Sequence, residues 1–311
     1  MGHYKEKLVT ILGPTAVGKT KTSIEVAKSV GGEIISGDSM QVYKGMDIGT
    51  AKVTNSEMDG IPHHLLDIKE PTEAFSAAEF QELATKLITD INKRGKIPII
   101  AGGTGLYVKA VTHQYHFSEA PSDPRYRREL EEFADKNGPV LLHEKLKKVD
   151  EESYSNIHPN NVRRVIRALE VVHATGRPLS ENKSNKEERS PYHLVNIGLT
   201  MDREKLYKRI DRRVDMMIED GLIEEAWKLY NEGVRDCQSV QAIGYKEIYY
   251  YLENRETKEV AIEELKKNSR RYAKRQLTWF RNQMEINWFD MTEDREQKIK
   301  EIVQFVAGKL Q

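Results

Sequence analysis

Apolar residues in the first hundred positions alternate between short runs and helical spacing. A β-branched run at residues 8–12 precedes apolar positions at helical spacing over residues 20–30, and a second short run follows at residues 33–36. A capping sequence then begins a predicted helix over residues 76–92, which leads to a strand at residues 97–101. Strands that alternate with helices are typical of a parallel sheet covered on both faces, so we predict an α/β fold.

The pattern changes after residue 116. Residues 117–158 combine prolines, many charges and short helical pieces without a convincing strand. We therefore predict a helical insertion domain at 117–158 within a catalytic core formed by 1–116 and 159–311. Within the second part of this core we expect a helix at 161–174, a polar loop at 181–190, a strand at 194–199, mainly helices after Asp202, a late strand at 286–289 and a last helix after Thr292.

Composition restricts the class of protein. Lys plus Arg and Asp plus Glu are 49 each among 311 residues, which excludes a strongly basic chain but not a basic face. The single cysteine, Cys237, excludes a disulfide framework and a multi-cysteine zinc site. No run reaches the roughly 18 apolar residues that a membrane span requires. We expect a cytoplasmic protein with no membrane partner.

A phosphate-binding loop lies between the first strand and the first helix. The pattern G-x-x-x-x-G-K-[ST] places backbone N–H groups and a helix N-terminus around an anion, adds a lysine that bridges phosphates, and supplies a hydroxyl for Mg²⁺. Thr20 carries that hydroxyl, so we predict it as a ligand of the cofactor Mg²⁺. The residues expected to bind diphosphate here are Gly13, Pro14, Thr15, Ala16, Val17, Gly18, Lys19 and Thr20.

Two further strand ends carry candidate chemistry. A nucleotide hydrolase usually has an acidic residue after an apolar strand, but the strand at 97–101 ends in the glycine-rich turn 102–105. This difference favours a site that holds diphosphate as a leaving group over one that cleaves a phosphoryl donor. Asp38 follows the second strand, at the sheet edge where ligands bind in such folds. From the residues alone, Asp38 is equally compatible with a ligand-facing role and a turn role.

Six sequence blocks stand out along the chain. They are the phosphate loop at 13–20, GDSMQVYKGMDIGTAK at 37–52, GGTGLY at 102–107, RALE at 167–170, AIGYK at 242–246 and KRQLTWFR at 274–281. Together, and in this order, they resemble the signature blocks of the tRNA dimethylallyltransferases (isopentenyl-tRNA transferases). The absence of C-terminal zinc-finger cysteines favours the bacterial type of this family.

The resemblance implies a P-loop NTPase-like core and a defined reaction. The enzymes of this family transfer a dimethylallyl group from dimethylallyl diphosphate to the N6 amine of the adenosine immediately 3′ of the anticodon, which yields N6-dimethylallyladenosine and diphosphate. By resemblance, Asp38 is the general base and Thr104 contacts the target nucleotide or the diphosphate, while Lys19 stabilises the leaving group. The insertion domain is expected to close on the anticodon stem-loop.

Two arginines four residues apart extend the expected diphosphate site. Arg209 and Arg213 share one helix face, which permits a clamp over the diphosphate. A solvated charged helix remains an alternative.

A basic surface for tRNA is predicted after Thr257. No acidic residue lies between Glu264 and Glu285, whereas seven cations do: Lys266, Lys267, Arg270, Arg271, Lys274, Arg275 and Arg281. Arg163 and Gln241 differ from the residues that are common at these positions in the family. For Trp279 and Phe280 we favour a position in the apolar core. The residues expected to contact tRNA are Asp38, Ser39, Met40, Gln41, Thr104, Arg125, Arg163, Arg164, Arg167, Gln241, Gly244, Lys246, Lys274, Arg275, Gln276, Trp279 and Arg281.

Three other functions are compatible with parts of the sequence. A P-loop kinase of a small molecule shares the loop but leaves the basic segment without a role. A nucleotide-switched RNA-binding module explains that segment but gives Asp38 no task. An isopentenyltransferase of free adenosine phosphates has little use for a basic surface or an insertion. A monomer is the default expectation.

Overall fold

The computed structural model describes residues 5–115, 117, 123–182 and 190–311. The chain divides into two compact units, one formed by Met1–Gln114 with Ser190–Gln311 and the other by Tyr115–Arg189. Most of the polar loop predicted at 181–190 lies outside the described residues.

The first unit is built on a sheet of six parallel strands. The spatial order is β3-β2-β4-β1-β5-β6, and every adjacent pair is parallel. In the register, Leu12 of the first strand lies opposite Gly102 and Gly198, so the carboxyl ends meet at one edge. The strands are β1 Lys7–Leu12, β2 Gly32–Ser36, β3 His63–His64, β4 Ile97–Gly102, β5 His193–Thr200 and β6 Asn287–Asp290.

Helices cover both faces of this sheet, as the alternating pattern predicts. One apolar cluster includes Phe80 and Ile88, and another on the opposite side includes Ile24 and Val26. Within the described residues, none of the helices is sufficiently long and apolar to cross a membrane. The helices are α1 Lys19–Val30, α2 Asn55–Met58, α3 Ala77–Lys93, α4 Gly105–Thr112, α5 Pro124–Asn137, α6 Pro139–Lys147, α7 Glu151–Asn156, α8 Val162–Thr175, α9 Arg203–Glu219, α10 Leu222–Asn231, α11 Tyr245–Leu252, α12 Lys258–Gln283 and α13 Arg295–Leu310.

The second unit consists of α5 to α8 around its own apolar core. Leu142 and Leu146 of α6 pack with Val165 and Leu169 of α8 in this core. The unit therefore contains α8, a helix that lies beyond the predicted insertion at 117–158 and within the range predicted for the catalytic core. The limit was misplaced because an amphipathic helix does not reveal from its own sequence which partner its apolar face covers.

Candidate functional site

Three turns meet at the carboxyl edge of the sheet, after β1, β2 and β4. The N–H of Gly37 donates to the carbonyl of Ala101 at 2.8 Å, and the N–H of Thr104 donates to the carbonyl of Gly37 at 3.2 Å. A Cβ on Gly102 would lie 2.2 Å from the Gly37 oxygen, so this close approach requires glycine. The turn that carries Asp38 is therefore fixed beside the turn that carries Thr104, at the edge predicted for Asp38.

The phosphate loop has the predicted place between β1 and α1. Gly18 has a φ of 114°, in the left-handed region that favours glycine. A Cβ on Gly13 would lie 2.7 Å from the carbonyl oxygen of Leu199, so a larger residue cannot enter here. The loop leads directly into the N-terminus of α1, where backbone N–H groups without intrahelical partners favour an anion.

Three cationic side chains surround this loop. The Lys19 Nζ donates to the carbonyls of Gly13 at 3.0 Å and Pro14 at 2.8 Å. On α9, the Arg209 Nε donates to the Ala16 carbonyl at 2.9 Å, and a terminal nitrogen of Arg213 lies 3.4 Å from the Thr15 hydroxyl. Both arginines are partly buried, which excludes the solvated-helix alternative for this face of α9.

The electrostatics of these groups favour an anionic ligand. Burial, with the Arg213 guanidinium as the second cause, lowers the pKa of Lys19 to about 8, and the Asp38 carboxylate opposes this shift. Burial also lowers the pKa of Arg213, again opposed by Asp38. An anion bound at the loop would relieve the repulsion between the cations, because it supplies the opposite charge at close range.

Asp38 has the turn role that its sequence position allowed. Its Oδ1 accepts a hydrogen bond from the Met40 N–H at 2.8 Å, which closes a turn. The other carboxylate oxygen takes part in no hydrogen bond within the described residues. The next residue, Ser39, donates its N–H to the Thr104 Oγ1 at 3.2 Å. The turn orients the Asp38 side chain and leaves Oδ2 for another partner.

Gln276 joins two of the turns, which corrects its prediction as a tRNA contact. Its side chain is buried, with 6% of the residue exposed. The Oε1 accepts from the Thr15 N–H at 3.0 Å, and the Nε2 donates to the Gly103 carbonyl at 3.0 Å. A Cβ on Gly103 would lie 2.1 Å from this Nε2. Gln276 therefore positions the phosphate loop from inside the protein.

Gln41 is partly buried, and its side-chain amide makes three contacts within the protein. The Ser36 hydroxyl donates to its Oε1 at 3.0 Å. Its Nε2 lies 3.2 Å from the carbonyls of Thr50 and Ala51. The Gln41 amide therefore holds together the two ends of the loop that follows β2. Met40 is partly buried against the apolar core.

Tyr272 of α12 also belongs to the site, although it is not among the predicted site residues. Burial and the nearby Asp38 carboxylate raise the pKa of its phenol, while hydrogen bonding to Thr104 and Gln276 lowers it. The net shift is upward, so the phenol is a neutral donor at neutral pH. Its position one helical turn before Gln276 was the available signal, because residues four apart share a face.

A groove of about 520 Å³ lies along the exposed side of α12. Trp279 is partly buried in it, and the Trp279 ring occupies the space that a Cβ on Gly105 would need. Arg281 lies apart from this groove, at 5.7 Å from the centre of the Trp288 ring. The groove is lined by Arg271, Lys274, Arg275, Thr278, Trp279, Asn282 and Gln283.

Several cations of the predicted basic run are paired with acids instead. Arg270 forms an ion pair with Asp211 of α9, and Lys266 lies 2.7 Å from Asp215 of the same helix. Lys267 lies 2.6 Å from Glu264. The segment is therefore not one continuous basic surface. Arg271, Lys274 and Arg275, which form no ion pair with any residue that the structure describes, all line the groove.

The AIGYK block also has an internal function. Tyr245 donates its hydroxyl to Glu225 at 2.6 Å, and the same carboxylate accepts N–H groups from Asp47, Ile48 and Gly49. Gly244 is buried beside this network. Only Gln241 and Lys246 of the residues predicted here are exposed. The block thus anchors the loop that follows β2.

The predicted cations of the second unit differ in their surroundings. Arg125, Arg163 and Arg164 are exposed, and the Arg125 side chain is 91% accessible. Arg167 lies 3.7 Å from the buried Glu170, which also accepts two hydrogen bonds from Arg127.

The described residues contain no group of three or more His, Cys, Asp or Glu side chains that could hold a metal ion. Thr20 is exposed in the first turn of α1, beside Lys19. Its hydroxyl is compatible with an Mg²⁺ ion whose other ligands are phosphate oxygens and water.

The family model for IPP transferase matches residues 41–283. A protein named tRNA dimethylallyltransferase from Halalkalibacterium halodurans is 62% identical over 309 residues, covering 99% of this chain and 98% of the relative. One of the same name from Geobacillus thermodenitrificans is 62% identical over 98% of both chains.

Solved structures agree with the sequence relatives. The full-length tRNA isopentenylpyrophosphate transferase from Bacillus halodurans matches with a TM-score of 0.76 and 62% identity, covering 98% of this chain and 97% of that one. A eukaryotic dimethylallyltransferase acting on tRNA matches with a TM-score of 0.80 and 30% identity, covering 97% and 80% of the two chains. Together with the family model, these matches establish that the chain belongs to the IPP transferase family.

Proposed function

We propose that the protein transfers a dimethylallyl group from dimethylallyl diphosphate to the N6 amine of the adenosine immediately 3′ of the anticodon in tRNA. The observation that carries this proposal is the arrangement at the sheet edge, where the turn that bears Asp38 is bonded to the turn that bears Thr104, and Lys19 and Arg213 contact the adjacent phosphate loop. β4 ends at Gly102 without an acidic residue, unlike the strand of an ordinary nucleotide hydrolase. The names of the relatives support the same reaction.

The diphosphate would bind at the phosphate loop. Its oxygens would face the N–H groups at the start of α1, with Lys19, Arg209 and Arg213 around them. When the C1–O bond of the substrate breaks, its electron pair moves to the diphosphate oxygen, and these cations stabilise the charge that develops. An Mg²⁺ ion held with the Thr20 hydroxyl would neutralise further charge on the same group.

Asp38 would accept the proton from the attacking amine. The exocyclic nitrogen of adenine forms the new bond to C1 and transfers its proton to Oδ2, while the turn with Met40 holds the carboxylate in place. Thr104 contacts the residue that follows Asp38, because the Ser39 N–H donates to its Oγ1. We propose that its hydroxyl orients the target nucleotide.

The tRNA would bind to the groove of α12. Lys274, Arg275 and Arg271 suit phosphate contacts, and the exposed part of Trp279 offers a surface on which a base can stack. The target base must leave the stack of the anticodon loop before its amine can reach the sheet edge. Arg163 and Arg164 of the second unit provide further exposed positive charge.

An acceptor assay tests this function. The protein is incubated with Mg²⁺, labelled dimethylallyl diphosphate and either undermodified tRNA or AMP, and in parallel with ATP alone. We expect label to enter only the tRNA, at the adenosine next to the anticodon. Label in AMP would instead indicate an isopentenyltransferase of free nucleotides, and phosphate release from ATP at enzymatic rates would indicate a kinase or hydrolase.

A further inference from the structure

Helix α9 carries opposite charges on two sides. Arg209 and Arg213 reach the phosphate loop from one side. Asp211 lies two residues after Arg209, and Asp215 lies two residues after Arg213, which is about 200° around a helix in each case. The two aspartates contact α12, where Arg270 pairs with Asp211 and Lys266 lies 2.7 Å from Asp215. Each helix thus contributes two residues spaced by one turn to the same contact.

The second helix of this contact is itself fixed to the phosphate loop. Gln276 of α12 accepts the Thr15 N–H at 3.0 Å, and Arg213 of α9 contacts the hydroxyl of the same Thr15. The loop, α9 and α12 therefore form a closed set of contacts. A rotation of α9 about its axis would break the ion pairs to α12 and would also move the two arginines away from the loop.

We propose that Asp211 and Asp215 are positioning residues for diphosphate binding. By pairing with Arg270 and Lys266, they hold α9 in the rotation that directs Arg209 and Arg213 toward the phosphate loop. This inference rests on the proposed diphosphate site. Both pairs are partly shielded, since the Lys266 side chain is only 16% exposed and that of Arg270 27%. Pairing with Asp215 also raises the pKa of Lys266.

A charge exchange tests this proposal on the full chain without tRNA. The affinity for inorganic pyrophosphate in the presence of Mg²⁺ is measured by calorimetry. Asp211→Arg places two guanidinium groups against each other, so we expect the affinity to fall about fivefold or more. This fall would occur although the added positive charge by itself attracts an anion. Arg270→Asp should also weaken binding, and the double variant with both changes should return to within about twofold of the wild type.

The matched control is Glu219→Arg. Glu219 is an exposed residue at the end of the same helix, and the substitution adds the same charge. It should retain or slightly strengthen pyrophosphate binding. Affinity in Asp211→Arg equal to that of this control would overturn the proposal, as would a double variant no better than the single variants.

A milder variant covers the possibility that Asp211→Arg does not fold. Asp211→Asn removes the ion pair without repulsion, and a loss of about twofold or more in pyrophosphate affinity at an unchanged melting temperature would support the positioning role. Unchanged affinity would overturn it. If the wild-type protein itself does not bind pyrophosphate, the proposed diphosphate site is overturned together with this inference. If the wild type binds and the variants bind equally well, only this inference is overturned.

Discussion

The side-chain oxygen of Gln276 accepts a hydrogen bond from the backbone N–H of Thr15 at 3.0 Å. The same amide donates to the Gly103 carbonyl, so one side chain of α12 spans the turns after β1 and β4. The helix whose outer side forms the proposed tRNA groove therefore also fixes the proposed diphosphate site from its inner side.

Gln276→Ala should weaken diphosphate binding. The substitution removes both hydrogen bonds and leaves the Thr15 N–H without its partner, so the loop loses its defined position. We expect the KM for dimethylallyl diphosphate to rise about tenfold, corresponding to roughly 1.4 kcal/mol, while the Kd for tRNA changes less than threefold. Titration with each substrate separately provides the measurement. Equal losses for both substrates would argue against a specific effect on the loop.

Diphosphate affinity should depend on pH through Lys19. Its pKa is lowered to about 8, so the side chain is charged below this pH and loses its charge as the pH rises through it. We therefore expect affinity for pyrophosphate to fall above pH 8 relative to the Lys19→Arg variant, whose guanidinium remains charged. The ratio of the two affinities removes the titration of pyrophosphate itself. A ratio that is constant from pH 6 to 10 would contradict this role of Lys19.

The groove cations should contribute to the salt dependence of tRNA binding. Lys274→Ala and Arg275→Ala each remove one proposed phosphate contact, so the slope of log K against log salt should become shallower by about 0.7–1 in each variant. The control is Lys86→Ala, which removes an exposed cation of α3 whose partner is Glu82. If the slope stays at the wild-type value in both groove variants, these residues do not contact phosphates.

Glu33 should stabilise the fold in a pH-dependent manner. Hydrogen bonds from Arg94, and to a lesser extent His64, lower its pKa from 4.5 to about 2. Its contribution is therefore fully present above about pH 4.5 and is lost as the pH falls toward 2. Since the Arg94 side chain is half exposed, we expect Glu33→Gln to reduce the free energy of unfolding at pH 7 by about 1–3 kcal/mol.

Urea unfolding at pH 7 and pH 3.5 checks this effect. The difference between wild type and Glu33→Gln should be smaller at the lower pH. Glu82→Gln, which alters an exposed ion pair with Lys86, should change stability little. A Glu33→Gln effect that is independent of pH would show that the carboxylate charge is not its cause.

The parts of the site predicted from sequence are those encoded by consecutive residues. The phosphate loop requires a strand, glycines and a helix in direct succession, and the structure contains this arrangement between β1 and α1. The sequence predicts the correct sheet edge for Asp38 because this residue lies two positions after the end of a predicted strand. Such local patterns fix the backbone without knowledge of distant partners.

The parts that sequence did not reveal depend on contacts between distant residues. Gln276 lies 261 positions after Thr15, and nothing in its neighbourhood indicates which side of α12 faces the loop. Arg270 was assigned to a basic surface because its acidic partner, Asp211, belongs to another helix. In the same way, the sequence did not indicate that α8 packs with α5 and α6.

The Asp38 carboxylate is the group on which the proposed reaction depends most. Asp38→Asn preserves the side-chain shape and an oxygen that can accept the Met40 N–H, but it cannot take up the proton of the attacking amine. The control is Asp47→Asn, the same change in the same loop, at a carboxylate that pairs with Lys52.

The deciding measurement is the single-turnover rate of label transfer from dimethylallyl diphosphate to saturating tRNA, together with the Kd values for tRNA and pyrophosphate. For Asp38→Asn we expect the rate to fall about 10²–10⁴-fold, with both Kd values within about threefold of the wild type. Asp47→Asn should transfer label at nearly the wild-type rate. A rate in Asp38→Asn within tenfold of the wild type would contradict general-base catalysis by this residue.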